Sequence, residues 1–222
     1  MRFLLGAASV LSVVAICLLT ARIAATPDWV MGLVALVVVS VNPMRIGYVF
    51  GSTAVIVAAL ITGAWRYLDR PTLAGALLAI AVILKVWPAI LLLPLCLHRR
   101  RVILVTVVVG AGLTGLGLLL PGVELASVIG SSDSWMFFVD LGSNWSLAKF
   151  VGAPLALLVG GVVLVLVHVA YADENRRIAW TVIVGLAMSP LSWAWYWAAA
   201  IPAMATIWRS FTRSSRDDLA RT

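Results

Sequence analysis

Residues Leu73 to Arg101 read LAGALLAIAVILKVWPAILLLPLCLHRRR. An apolar run of this kind is a membrane segment, and how many times it crosses decides the topology of the whole chain. As one helix, Leu73–Leu97 would be about 38 Å long at ~1.5 Å per residue, more than the ~30 Å of bilayer hydrocarbon. It would also carry Lys85 at its middle and two prolines, Pro88 and Pro94. The preferred reading is a short hairpin. Leu73–Leu84 goes up, Lys85-Val86-Trp87-Pro88 bends, and Ala89–Leu97 returns. A single long helix remains the alternative.

Outward from this stretch the chain continues in kind. Phe3–Ala21, Trp29–Val41, Gly47–Trp65, Val102–Leu120, Leu155–Ala172, Ile178–Trp197 and Ala198–Trp208 are apolar runs, separated by short polar or charged loops. Hydrophobic residues make up 63% of the 222, and charged residues 11%. A soluble domain sits near about 45–50% and about 25%, and it could not bury the surplus. The fold class predicted is therefore all-α, a polytopic transmembrane helical bundle of about seven to nine segments. It fills residues 1–208, with one long outer loop at 121–154 and a polar cytoplasmic tail at 209–222, read as disordered. Phe3–Ala21 is read as a span, not as a cleaved signal.

Arginine sets the orientation. In the hairpin reading Arg22, Arg66, Arg70, Arg99, Arg100, Arg101, Arg176, Arg177 and the tail arginines share the cytoplasmic side. Arg2, Arg45 and Lys149 then face outward. The single-helix reading moves Arg22, Arg66 and Arg70 outside; both readings place 121–154 outside. The net charge of +7 thus describes membrane anchoring. No basic stripe interleaved with polar positions supports nucleic-acid binding.

Three features could carry chemistry. Lys85 is a charge at bilayer depth, which costs roughly 2.5–3.5 kcal/mol on insertion scales unless it faces a cavity or partner. There it could hold a phosphate as a point charge; the plainer reading is a snorkelling side chain. The outer loop combines Glu124, Asp133, Asp140, Asn144, Ser146 and Lys149 with Trp135, Phe137, Phe138 and Trp145. That mixture suits a sugar-binding rim and equally an interfacial loop. Ser189-Pro190-Leu191-Ser192-Trp193-Ala194-Trp195-Tyr196-Trp197 places a helix breaker before a row of aromatics, as a site wall or as an aromatic belt. His98 and His168 are isolated, and Cys17 and Cys96 lie in apolar runs, so no metal or cofactor is implied. No Gly-rich phosphate loop appears.

Taken together, these stretches resemble glycosyltransferase family 87. Leu73–Pro88 with Arg99-Arg100-Arg101 resembles that family's Gly-rich apolar run ending in Lys-x-x-Pro and an arginine triplet. Asn42-Pro43 with Gly51, Gly142-Ser143-Asn144-Trp145-Ser146-Leu147, and Ser189-Pro190-Leu191-Ser192-Trp193 resemble three further elements, in order, over most of 29–208. The resemblance implies a C-type glycosyltransferase-like bundle in the plasma membrane. It implies mannosyl (hexosyl) transfer from a polyprenyl-phosphate sugar donor to a cell-envelope glycolipid or glycan acceptor. By that resemblance Lys85 binds the donor phosphate, and Asn144, Ser146, Trp193 and Tyr196 form the substrate rim. Asp140, four residues before Asn144, is the best catalytic base. Ser52 and Trp145 stand where the family favours Gln, and the aromatics after Trp193 stand where it favours His. The family's catalytic aspartate is expected in an outer loop upstream of everything matched. The chain therefore resembles the carboxy-terminal two-thirds of such an enzyme and is expected to transfer sugar weakly or not at all by itself. Competing readings are a non-catalytic membrane partner and, last, a transporter, which would show paired broken helices.

Overall fold

The computed structural model describes residues 2–40, 53–96, 98–119, 148–188 and 194–219. Among them every regular element is helical. The longer helices are α1 (Arg2–Ala24), α2 (Asp28–Ser40), α3 (Ala54–Arg66), α4 (Pro71–Leu84), α5 (Arg100–Leu118), α6 (Ala153–Ala170), α7 (Glu174–Met188) and α8 (Ala200–Leu219). Gly6–Ala24, Arg100–Leu118 and Ala153–Ala170 are each long and apolar enough to cross a bilayer.

Helix α3 is the centre. Val55, Val57, Ala58, Ile61 and Thr62 are fully enclosed, and the Thr62 hydroxyl donates back to the Ala58 carbonyl at 2.8 Å, so no polar group is stranded. Helices α1 and α4 pack against α3, as does the 3₁₀ turn Ala194–Ala199. By contrast α5 and α6 turn whole apolar faces outward: Leu104, Val108 and Leu116, then Leu158, Val165 and Val169, are exposed. In water such surface would be untenable; against lipid chains it costs nothing, and it marks these helices as the lipid-facing wall.

The hairpin reading of Leu73–Leu97 holds. Helix α4 ends at Leu84, and Lys85 takes an extended conformation, φ −154° and ψ 129°. A 3₁₀ turn, Trp87–Leu91, and a single helical turn, Leu92–Leu95, lead back. Pro88 and Pro94 are buried in this return segment. Leu91 and Leu95 re-enter the core beside Ile61, Trp65 and Val102, around a void of about 10 Å³. The chain thus regains the level at which it left. Arg99 Nη1 lies 3.0 Å from Asp69 Oδ1, and the Thr106 hydroxyl donates to the Gly75 carbonyl at 3.2 Å. Helices α4 and α5 therefore run side by side in the same direction. Gly75 permits the contact: a Cβ there would stand 2.6 Å from Val105 Cβ and 2.8 Å from the Val102 carbonyl oxygen.

Two expectations change. The residues from Arg209 to Leu219 are not irregular, because α8 continues through them. No glycine or proline follows Pro202 to stop it. Helix α1 also runs to Ala24, where Ala25 takes φ 44° and the Thr26 amide donates to the Ala21 carbonyl at 3.0 Å. This is the left-handed helix stop that glycine usually provides.

Candidate functional site

The polar end of the bundle is organised by one arginine. Arg99 Nε and Nη2 grip the Glu174 carboxylate at 3.1 and 3.0 Å, while Nη1 holds Asp69. The Glu174 hydrogen bond, foremost, raises the Arg99 guanidinium above its already high range. Alongside, Trp65 Nε1 donates to Asn175 Oδ1 at 2.8 Å. These bonds tie the loop after α3, the start of α5 and the start of α7 into one face. Arg22, Arg66 and Arg99 line a common pocket there with Glu174 and Asn175. Three of the arginines that the hairpin reading puts on one side, Arg22, Arg66 and Arg99, thus share one end. Salt-bridge geometry explains Arg99 as structure; its ligands are Asp69 and Glu174.

The opposite direction leads to Lys85. Fourteen residues of α4 raise the chain by about 21 Å from the polar face, so the lysine stands at the far end of α4, where the helix breaks. It is half-buried, and its amide donates to the Ala81 carbonyl at 3.0 Å. The break exists because the extended Lys85 cannot continue the helix and Pro88 offers no amide to restore it. The return segment is braced from behind: a Cβ on Gly185 of α7 would meet Ile90 at 3.2 Å.

Trp87, two residues beyond Lys85, was carried in the sequence only as part of the motif. Its indole Nε1 is buried and finds no acceptor among the described residues. Trp197, in the turn that follows the Ser189–Trp193 stretch, has the same unmet donor. A buried N–H without an acceptor costs about 1–3 kcal/mol. Two such donors, one at the break after α4 and one in the turn before α8, are groups to which a ligand oxygen could bind. The signal available in the sequence was a tryptophan placed at a helix break inside an apolar run, not at its end.

The remaining predicted site residues are only partly placed. Asp140, Asn144, Ser146 and Trp193 lie outside the described residues, as do Glu124 and Asp133. Tyr196 has its backbone in the turn Ala194–Ala199. Among the described residues no group of three His, Cys, Asp or Glu could hold a metal ion.

The stretch that carries the sequence resemblance, Leu73–Pro88 with Arg99-Arg100-Arg101, thus folds as a helix, a break at Lys85 and a return to an arginine-rich end. The family profile of glycosyltransferase family 87 matches residues 1–219. The chain belongs to glycosyltransferase family 87. The match is wider than the motif-bearing stretch at 29–208 and takes in α1 and nearly all of α8. Neither a curated protein nor a solved structure matches the chain. Family 87 membership and the apolar helices together make this a membrane glycosyltransferase, suited to sugar transfer in a lipid setting.

Proposed function

We propose that this family 87 member uses a polyprenyl-phosphate hexose, mannose by family resemblance, as its donor, and a cell-envelope glycolipid or glycan as its acceptor. The observation that carries the reading is Lys85, a cation about 21 Å from the polar face at the break of α4. The complete bundle has seven to nine membrane segments in the plasma membrane. Its arginine-rich end faces the cytoplasm, so the Lys85 end faces outward, with the loop at 121–154.

In the reaction an acceptor hydroxyl oxygen attacks C1 of the hexose. The new C1–O bond forms as the bond from C1 to the phosphate oxygen breaks, and the phosphate leaves with the electron pair. The hydroxyl proton passes to a carboxylate, for which Asp140 is the candidate on the outer loop. Lys85 offsets the charge of the departing phosphate, the term that electrostatic preorganisation serves best. The indole donors of Trp87 and Trp197 suit donor oxygens, and Asn144, Ser146, Trp193 and Tyr196 would form the sugar rim.

The test is purified protein with labelled polyprenyl-phosphate mannose and a mannoside acceptor. Turnover that falls by about 10²–10⁴-fold in Asp140→Asn, the usual range for a lost general base, supports the full reading. Turnover that ignores Asp140→Asn removes that residue from the site. Retained donor without turnover makes the chain a donor-binding member of the family that does not itself transfer the sugar. Failure to retain the donor overturns the proposal.

A further inference from the structure

A second lipid-shaped feature lies at the arginine-rich end, away from Lys85. Between α1 and α3 runs an open groove of about 550 Å³, within the ~300–1,000 Å³ range of ligand sites. Leu18, Leu60 and Leu77 form part of its walls. Ser12, at its far end, has no donor left to offer, because its hydroxyl is already donated to the Ala8 carbonyl at 2.7 Å. From Ser12 to Arg22 the groove follows α1 for roughly 15 Å, which is one leaflet of a ~30 Å hydrocarbon core. A helix from another protein would need the full thickness; a single acyl chain needs one leaflet.

The groove ends in charge. Arg22 and Tyr67 line that end. Arg22 is exposed and makes no hydrogen bond or ion pair among the described residues. Arg66 and Arg70 flank the Tyr67 ring at 5.7 and 5.9 Å, and Arg66 Nε is buried without an acceptor among the described residues. The nearby acids offset only part of this charge: Asp69 and Glu174 share Arg99, and the one carboxylate charge left over stands against the three of Arg22, Arg66 and Arg70. A phenol at the interface beside three guanidinium groups is suited to a phosphate headgroup.

We infer that this groove holds one anionic glycerophospholipid, with an acyl chain along α1 and α3 and its phosphate at Arg22. The inference is independent of the proposed donor. The experiment is native mass spectrometry of the full chain after exchange into equal phosphatidylglycerol and phosphatidylcholine of identical acyl chains. One retained phosphatidylglycerol is expected, enriched roughly fivefold over phosphatidylcholine, the scale of one basic residue at a headgroup. Arg22→Gln should return the ratio to that of the mixture, Arg22→Lys should keep most of the enrichment, and Ala59→Trp, which fills the groove, should lose both lipids. Arg22 is exposed, so its variants test binding without loss of fold. Equal retention of the two lipids, or enrichment unchanged in Arg22→Gln, overturns the inference. Displacement by polyprenyl phosphate would assign the groove to the donor, and a cross-link between copies at Leu60→Cys would assign it to a second protein; either result overturns it too.

Discussion

Arg99 and Asp69 are thirty residues apart in sequence, and their side chains meet at 3.0 Å. The same guanidinium reaches Glu174, 75 residues further along, through three more hydrogen bonds. A pair at this spacing, with an apolar run between its members, is possible only if the chain turns back inside that run. The contact therefore records the hairpin at Lys85–Pro88 more directly than any helix boundary does.

Removing the hub should loosen this end unequally. Glu174 is 21% exposed but Asp69 is 87% exposed. Arg99→Gln is expected to lower stability by about 1–2 kcal/mol, the range of a partly shielded charged hydrogen bond. Asp69→Asn should cost under about 1 kcal/mol, as exposed pairs do. Denaturation midpoints in detergent, at low and high salt, check both. Equal losses from the two variants would contradict the geometry.

Helix α4 can lie against α5 only because residue 75 has no side chain. Gly75→Ala puts a Cβ within 2.8 Å of the Val102 backbone oxygen, which cannot move without moving α5. A loss of about 1–3 kcal/mol is expected, as for other overpacked cores. Gly110→Ala, on α5 itself, meets nothing within 4 Å. The Gly75 variant should therefore melt lower than the Gly110 variant; equal melting would mean that the α4–α5 contact gives way more easily than its geometry implies.

If Lys85 serves the donor phosphate, Lys85→Met should weaken retention of polyprenyl-phosphate mannose by at least about tenfold, and should harm binding more than it lowers the melting temperature. Lys85→Arg should restore part of the binding. A variant that melts low and binds no worse per folded molecule would make Lys85 a structural group.

Cysteine labelling of intact cells tests the orientation. Cys96 is exposed near the arginine-rich end and serves as a native reporter, whereas Cys17 is buried. An impermeant maleimide should reach Ser132→Cys in a Cys96→Ala background. It should reach Cys96, or Ser214→Cys in that same background, only after the membrane is opened. Labelling of Ser214→Cys from outside would invert the topology.

Much was legible in residue order because the bilayer is a simple solvent. It asks only for apolar residues in helical runs, so α1, α2, α5 and α6 fall within a few residues of the runs read from composition. The length of Leu73–Leu97, Lys85 at its middle and the prolines Pro88 and Pro94 sufficed to favour the hairpin, and four motif stretches in order sufficed for the family. Other features were not legible. In a bundle that is apolar all round, hydrophobic pattern does not distinguish a lipid-facing helix such as α5 from an enclosed one such as α3. Nor does it say which glycine, Gly75 or Gly110, is pressed against a neighbour; a Cβ on Gly110 would meet nothing within 4 Å. The contact of Arg99 with both Asp69 and Glu174, the unmet donors of Trp87 and Trp197, and the groove ending at Arg22 are relationships between residues far apart in sequence. Sequence by itself determined that this chain lives in a membrane, where it turns and which family it resembles, because those follow from the local preferences of side chains for lipid, water and helix. Tertiary structure alone decided which faces meet, because packing depends on shape at distances of a few ångströms, and that shape exists only once the helices are brought together.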